Sequence, residues 1–212
     1  MTQLFRSLFE RYGHVYEHPR YKKDTDTYEW NLQVVLDETF AFLLQELVQV
    51  QEWIVQEEER FFGYLASLLD ADGSILTTRD KYGNVYVFVD YFNSDKAMMQ
   101  WIEKEVQRMG YYSSLRINKD EGTVTKKYHI VHRRDYLQLS IYGMDKIYDF
   151  LARLHPRHPE KIHRRSIACI TFKGQRFTEV EEDIRAFRSK VQEERDAYIL
   201  RAQQEYARSH QI

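Results

Sequence analysis

The chain has 212 residues, of which 43% are hydrophobic and 30% charged, a balance that excludes a disordered chain. Aromatic residues reach 15%, enough for a sizeable core, while three Pro and eight Gly leave little material for a repetitive all-β fold. The formal charge is −2, yet Tyr111 to Arg176 holds 14 Lys and Arg against 6 Asp and Glu, so a cationic face is compatible with a near-neutral total. No apolar run approaches the ~20 residues of a membrane span, and Arg6 interrupts the N-terminus too early for a signal peptide. Cys169 is the only cysteine and has no intrachain partner. The expectation is a soluble intracellular protein in a reducing compartment, bacterial cytoplasm or an organelle, with no membrane partner.

In chain order, Leu4, Phe5, Leu8, Phe9 and Tyr12 follow helical spacing up to Gly13, and His18 to Thr27 reads as a polar loop. From about Glu29 to Glu59 neither Gly nor Pro occurs, and Leu32, Val35, Leu36, Phe40, Leu43, Leu44 and Leu47 suggest one long amphipathic helix. Phe61 to Ala71 reads as a helix stopped by Gly73. Ser74 to Phe92 holds two strands separated by Lys81-Tyr82-Gly83-Asn84. A helix over Ser94–Met109 precedes strand-like runs at Tyr111–Asn118 and between Thr123 and Ile141. Helices follow at Met144–Leu154, Glu160–Cys169 and Phe177 to about Arg208. Alternating helices and strand pairs predict an α+β core, an antiparallel sheet covered by helices on one face, with helical N- and C-terminal extensions. The expected divisions are 1–60, 61–170 and 171–212.

Phe62-Gly63-Tyr64-Leu65-Ala66-Ser67-Leu68-Leu69-Asp70-Ala71-Asp72-Gly73 is the most informative stretch. Gly63, Ser67 and Ala71 lie four apart on one helical face, where small residues let a second helix approach closely. Asp70 and Asp72 stand at the helix end whose dipole disfavours negative charge, an arrangement that a bound cation would offset. Gly73 suits a left-handed exit into the strand. The same residues, taken without context, also fit an Asp-Gly surface turn.

Leu65–Gly73 resembles the signature of the LAGLIDADG homing endonucleases, with Ser67 in place of Gly and Leu69 in place of Ile. The order of elements over roughly Phe61 to Ile170 is similar to the family core, which implies its saddle-shaped sheet. The resemblance implies a sequence-specific endonuclease, intron-encoded, hydrolysing double-stranded DNA with Mg2+ or another divalent ion such as Mn2+. One motif per chain implies a C2 homodimer through Gly63, Ser67 and Ala71, acting on a pseudo-palindromic site. Asp72 matches the metal-binding acid. Asn93 falls where the family often has Gln, and its own residue type equally suits a helix cap. Lys161 matches the basic residue near the scissile phosphate and equally reads as a surface lysine.

Strands in the major groove would offer Thr77, Arg79, Arg116, Asn118, Lys126, Tyr128 and His132 to bases, although a one-residue slip would exchange the sheet faces. Arg164 and Arg165 read as phosphate contacts. His155, His158 and His163 fit no common zinc spacing, and Cys169 reads as a core residue. The resemblance also admits, as a runner-up, a non-cleaving descendant, a regulator or a maturase that binds DNA or intron RNA.

Overall fold

Period-two and period-3.6 patterns divide the chain into nine named helices, two of them 3-10, and six strands among the described residues. The computed structural model describes residues 2–23, 25–44, 50–124 and 131–209, the side chains of 2–4 and 42–44 excepted. In chain order the elements begin with α1 (Thr2–Phe9), β1 (Val15–Lys22), β2 (Thr27–Val34), a 3-10 turn at Glu38–Leu44, α2 (Trp53–Gln56) and α3 (Glu58–Asp72). They continue with β3 (Ser74–Arg79), β4 (Val85–Asn93), α4 (Lys96–Arg108), β5 (Tyr112–Lys119) and β6 (Tyr136–Tyr142). The last are α5 (Ile147–Arg153), α6 (Pro159–Ile170), a 3-10 turn at Phe177–Glu179 and α7 (Glu181–Ser209). Two compact units result, Met1–Val48 with Arg188–Ile212, and Gln49–Phe187.

The first unit corrects the helical reading of the N-terminal region. β1 and β2 form an antiparallel hairpin in register from Val15 opposite Val34 to Lys22 opposite Thr27. The expected loop at His18–Thr27 therefore lies largely in strand, and the long helix expected from Glu29 does not form. Tyr28, Trp30, Leu32 and Val34 alternate along β2, and aromatic and β-branched residues favour that extended, half-covered surface. Tyr28 packs on Tyr206 with ring centres 5.6 Å apart, and Trp30 packs on Tyr198 at 6.1 Å. These contacts reward the period-two set over the helical spacing of Leu32, Val35 and Leu36. Downstream, the Thr39 amide donates to Asp37 Oδ1 at 2.9 Å and turns the chain into Glu38–Leu44. The side chains of Leu43, Leu44 and Leu47 lie outside the described residues.

The second unit has the expected architecture. Its four strands pair antiparallel in the order β3-β4-β6-β5. One face is apolar: Ile75, Val85, Val87, Val89, Tyr91, Leu137, Leu139 and Ile141 are buried there. Against it pack Phe61, Phe62, Leu65 and Leu69 of α3, Met99, Ile102 and Val106 of α4, and Phe150 and Leu151 of α5. Asp95 caps α4 by accepting from the Met98 amide at 3.0 Å. On the opposite face Tyr86, Phe88, Ser114, Arg116, Ser140 and Tyr142 line an open trough of about 300 Å3.

Candidate active site

The helix carrying the two acids ends at Asp72, and Gly73 turns straight into β3 with φ −96° and ψ 175°. The expected left-handed exit is absent, and the glycine is required for a different reason. A Cβ at Gly73 would lie 2.6 Å from Leu69 Cα and 3.1 Å from the Asp90 carbonyl oxygen. Close approach of the helix end to β4, rather than a positive φ, fixes this position.

The two aspartates diverge. Asp70 accepts from the backbone amides of Arg157 at 2.7 Å and His158 at 3.0 Å. These are amides at the start of α6, where a carboxylate meets the favourable end of the helix dipole. Asp72 is exposed at the rim of the sheet. It shares a small cavity of about 30 Å3 with Asn93, Tyr91, Leu68 and Met98. The Tyr91 hydroxyl is buried there without a hydrogen-bond partner among the described residues, and burial followed by the Asp70 charge pushes its phenol far above the usual range. Asn93, the last residue of β4, accepts from the Asp95 amide at 2.8 Å through Oδ1, so it braces the turn before α4 while Asp95 makes the cap.

Lys161 projects from the first turn of α6 and donates to the Gly73 carbonyl at 2.7 Å. Burial holds its pKa below the ordinary lysine value, opposed by Glu160 and, more weakly, by Asp70 and Asp72. A half-buried ammonium thus stands at the residue after Asp72. Tyr136 approaches from the other side: burial and then the Asp72 charge raise its phenol pKa, and its ring stacks on Phe92 at 6.0 Å. Beyond Tyr136, a second trough of about 300 Å3 is lined by Ser94, Val131, His132, Arg133 and Arg134.

The fold brings Asp72, Asn93 and Lys161 to one end of the sheet and uses other expected contacts structurally. Arg165 donates to the carbonyls of Leu151 at 2.6 Å and Ala152 at 3.1 Å, closing the end of α5. Arg164 pairs with Glu160 at 2.8 Å and reaches the Ile75 carbonyl at 3.5 Å. Thr77 pairs with Val87 and Arg79 with Val85, positions of the helix-covered parity. Arg116 faces the open side opposite Gln138, and Asn118 falls at the irregularity between Ile117 and Lys119. His132 packs on the Tyr136 ring at 5.7 Å. Lys126 and Tyr128 lie outside the described residues. Gly63, Ser67 and Ala71 are all exposed, and the Ser67 hydroxyl donates to the Gly63 carbonyl at 3.0 Å. Cys169 is exposed, contrary to the core expectation, because Ala168 takes the buried position of that turn.

Asp90, Gln138 and Ser140 escaped the sequence reading. The Ser140 hydroxyl donates to Asp90 Oδ1 at 2.5 Å, Gln138 Nε2 donates to Ser140 Oγ at 3.3 Å, and Arg116 donates to Gln138 Oε1 at 3.1 Å. The signal was present in Val85, Val87 and Val89, whose burial consigns Tyr86, Phe88 and Asp90 to the other face. Arg133 and Arg134 were also missed, although an Arg-Arg pair just before a strand marks them.

Among curated proteins, none matches the chain. Among solved structures, it is similar to the homing endonuclease I-CvuI in complex with its target in the presence of Ca, at 18% identity and a TM-score of 0.38, over 53% of this chain and 65% of that one. The same endonuclease with a different target and Mg, its DNA not cleaved, gives 16%, a TM-score of 0.38 and coverages of 53% and 66%. Mesophilic variants of the homing endonuclease I-DmoI give 16%, a TM-score of 0.43 and coverages of 72% and 68%. The family model described as LAGLIDADG-like domain matches residues 61–155, the segment holding the motif helix, the four strands and α5. Over these residues, a little under half of the chain, the protein is similar to the LAGLIDADG-like domain.

Proposed function

We propose that the protein is a sequence-specific, divalent-metal-dependent DNA endonuclease that acts as a C2 homodimer. The observation that carries this reading is the end of the motif helix in a LAGLIDADG-like domain, where the exposed carboxylate of Asp72 is followed by a carbonyl held by Lys161. A hard oxygen donor of this kind suits Mg2+ or Mn2+. No cluster of three His, Cys, Asp or Glu side chains occurs among the described residues. One carboxylate per chain fits an ion that keeps several waters and takes its remaining ligands from phosphate. When bound, the ion would lower the pKa of a water and neutralise charge at the phosphorus.

The chain's own residues have separable tasks. Asp72 holds the cation, and Lys161 places a positive charge where negative charge develops during phosphodiester hydrolysis. Asn93, oriented by its bond to the Asp95 amide, limits the polar space beside Asp72. Arg133 and Arg134 offer cations to the phosphate backbone and leave sequence reading to the sheet. Nothing lies within 4 Å of a Cβ built at Gly63, which leaves room for the same helix of a second copy. Such a pair would supply one acid for each DNA strand and a pseudo-palindromic target. The exposed Cys169 fits a reducing intracellular compartment.

One observation favours a second reading. Asn93 Oδ1 is engaged by the adjacent turn, which suits a domain that retains DNA or RNA binding without cleavage. The full chain incubated with a randomised duplex pool separates the two. The endonuclease cuts both strands of one sequence class with Mg2+ or Mn2+ and binds it uncut in EDTA. Selective binding without cleavage in either metal would establish the second reading.

A further inference from the structure

We propose that Asp90 is a positioning residue that sets the direction of a hydrogen-bond chain across the open face of the sheet, and that the chain aims Arg116 at guanine in the major groove. The inference rests on the DNA-binding reading above and adds to it which base is read and what aims the reader. Strand register supplies the framework: Asp90 lies opposite Ser140, and Arg116 opposite Gln138. Ser140 and Gln138 are two apart on one strand and share a face. Asp90 is 4% exposed and Gln138 6%, so their polar atoms must find partners inside this row.

The direction of the chain follows from its two charged ends. As a carboxylate Asp90 only accepts, so Ser140 must donate to it, and their 2.5 Å separation is that of a charge-assisted bond. With its proton committed, Ser140 receives the Gln138 amide nitrogen. The Gln138 carbonyl is thereby turned toward β5, where it accepts from Arg116 Nη2. A guanidinium only donates, so the far end agrees with the near one. An amide whose two ends are otherwise interchangeable thus has one permitted orientation. Arg116 is exposed and tethered through a single nitrogen, which leaves further N–H groups pointing into the trough. Guanine offers two acceptors, O6 and N7, to such a donor pair in the major groove.

Asp90→Asn keeps shape and removes the constraint, because an Asn side chain can donate to Ser140 as well as accept from it. Gln138 can then flip and present its NH2 group to Arg116, which releases the guanidinium. On a randomised duplex pool, discrimination for guanine at one base pair per half-site should fall roughly tenfold, the scale of one bidentate contact. Affinity for random duplex and its dependence on salt should not change. The double variant Asp90→Asn/Gln138→Glu places an acceptor-only group beside Arg116 again and should restore the preference. NMR of the unliganded full chain provides a DNA-free readout: the Gln138 side-chain amide should be fixed in the wild type and averaged in Asp90→Asn. Four results would overturn the proposal: an unchanged base profile in a folded Asp90→Asn protein, an equal loss at every position, failure of the double variant to recover, or a mobile Gln138 amide in the wild type. A wild-type chain with no sequence preference but a fixed amide would overturn the DNA reading and guanine selection while leaving the chain's direction established.

Discussion

The two faces of the four-stranded sheet are made by alternate residues of the same strands, yet they obey different rules. The covered face is filled by Val87, Val89, Leu139 and Ile141, none of them exposed. Its specificity is one of volume, so any buried side chain of similar size and shape serves. The open face carries Asp90, Gln138, Ser140 and Arg116, whose arrangement is fixed by who donates to whom. One face therefore contributes stability and tolerates exchange, while the other, the face proposed to read DNA, does not. Asp72 stands at the rim between them, exposed and outside both schemes.

That separation is broken most sharply at the rim. Asp72→Asn keeps size and removes the charge that would bind the cation. Cleavage of both strands should disappear, while metal-free DNA binding persists or tightens because a negative group no longer faces phosphate. The melting temperature should hold or rise, since a carboxylate at a helix C-terminus opposes the dipole. Single-turnover cleavage beside calorimetry decides this. Activity that survives in proportion to folded protein would return Asp72 to a structural role.

Next in size is a covered-face cavity. Leu139→Ala should destabilise by about 2–5 kcal/mol, the range for buried leucines whose surroundings only partly collapse. Ser114→Ala, on the open face, should fall within about 0.5 kcal/mol. Well below its melting temperature the Leu139 variant should retain the wild-type base preference. A cavity that altered that preference as strongly as it altered stability would show that the two faces are mechanically coupled.

The strands and the helices over them were legible from their periods, but which residues face the helices was not: Thr77 and Arg79, expected to meet DNA, pair with Val87 and Val85 of the covered face. Asp72 was singled out by its place in the motif and Lys161 by its place after the Leu-rich helix, and the fold sets the Lys161 ammonium on the carbonyl of the residue after Asp72. The N-terminal hairpin was missed because β2 has no Pro or Gly to stop a helix, and much of what rewards its alternation comes from Tyr198 and Tyr206, more than 160 residues away. Arg164 and Arg165 could not be sorted from phosphate contacts, because the carbonyls they satisfy, Ile75 in β3 and Leu151 in α5, become neighbours only after α6 packs against both elements. The Asp90 chain escaped for the same reason. It depends on the register of three strands, which no single strand encodes.

The smallest effect tests whether the rim can loosen while the covered face stays intact. His158 caps α6 by accepting from the Glu160 amide through Nδ1 at 3.2 Å, a bond that only the neutral imidazole can make. Burial, and then the nearby Lys161 charge, lower its pKa below the ordinary value of about 6.5. The folded state therefore binds fewer protons at this residue than the unfolded chain. Its contribution is fully present above about pH 6.5 and is lost as pH falls through the folded-state value. The size should be that of an N-cap, about 0.5–1 kcal/mol. Because Lys161 sits in the turn that His158 caps, the loss should register at the Gly73 carbonyl before the core. His158→Asn supplies a cap that does not titrate, so melting curves between pH 5 and 7 should show a shallower acid slope than the wild type. Parallel slopes would mean that the cap contributes nothing to the rim, and that acid acts on the protein elsewhere.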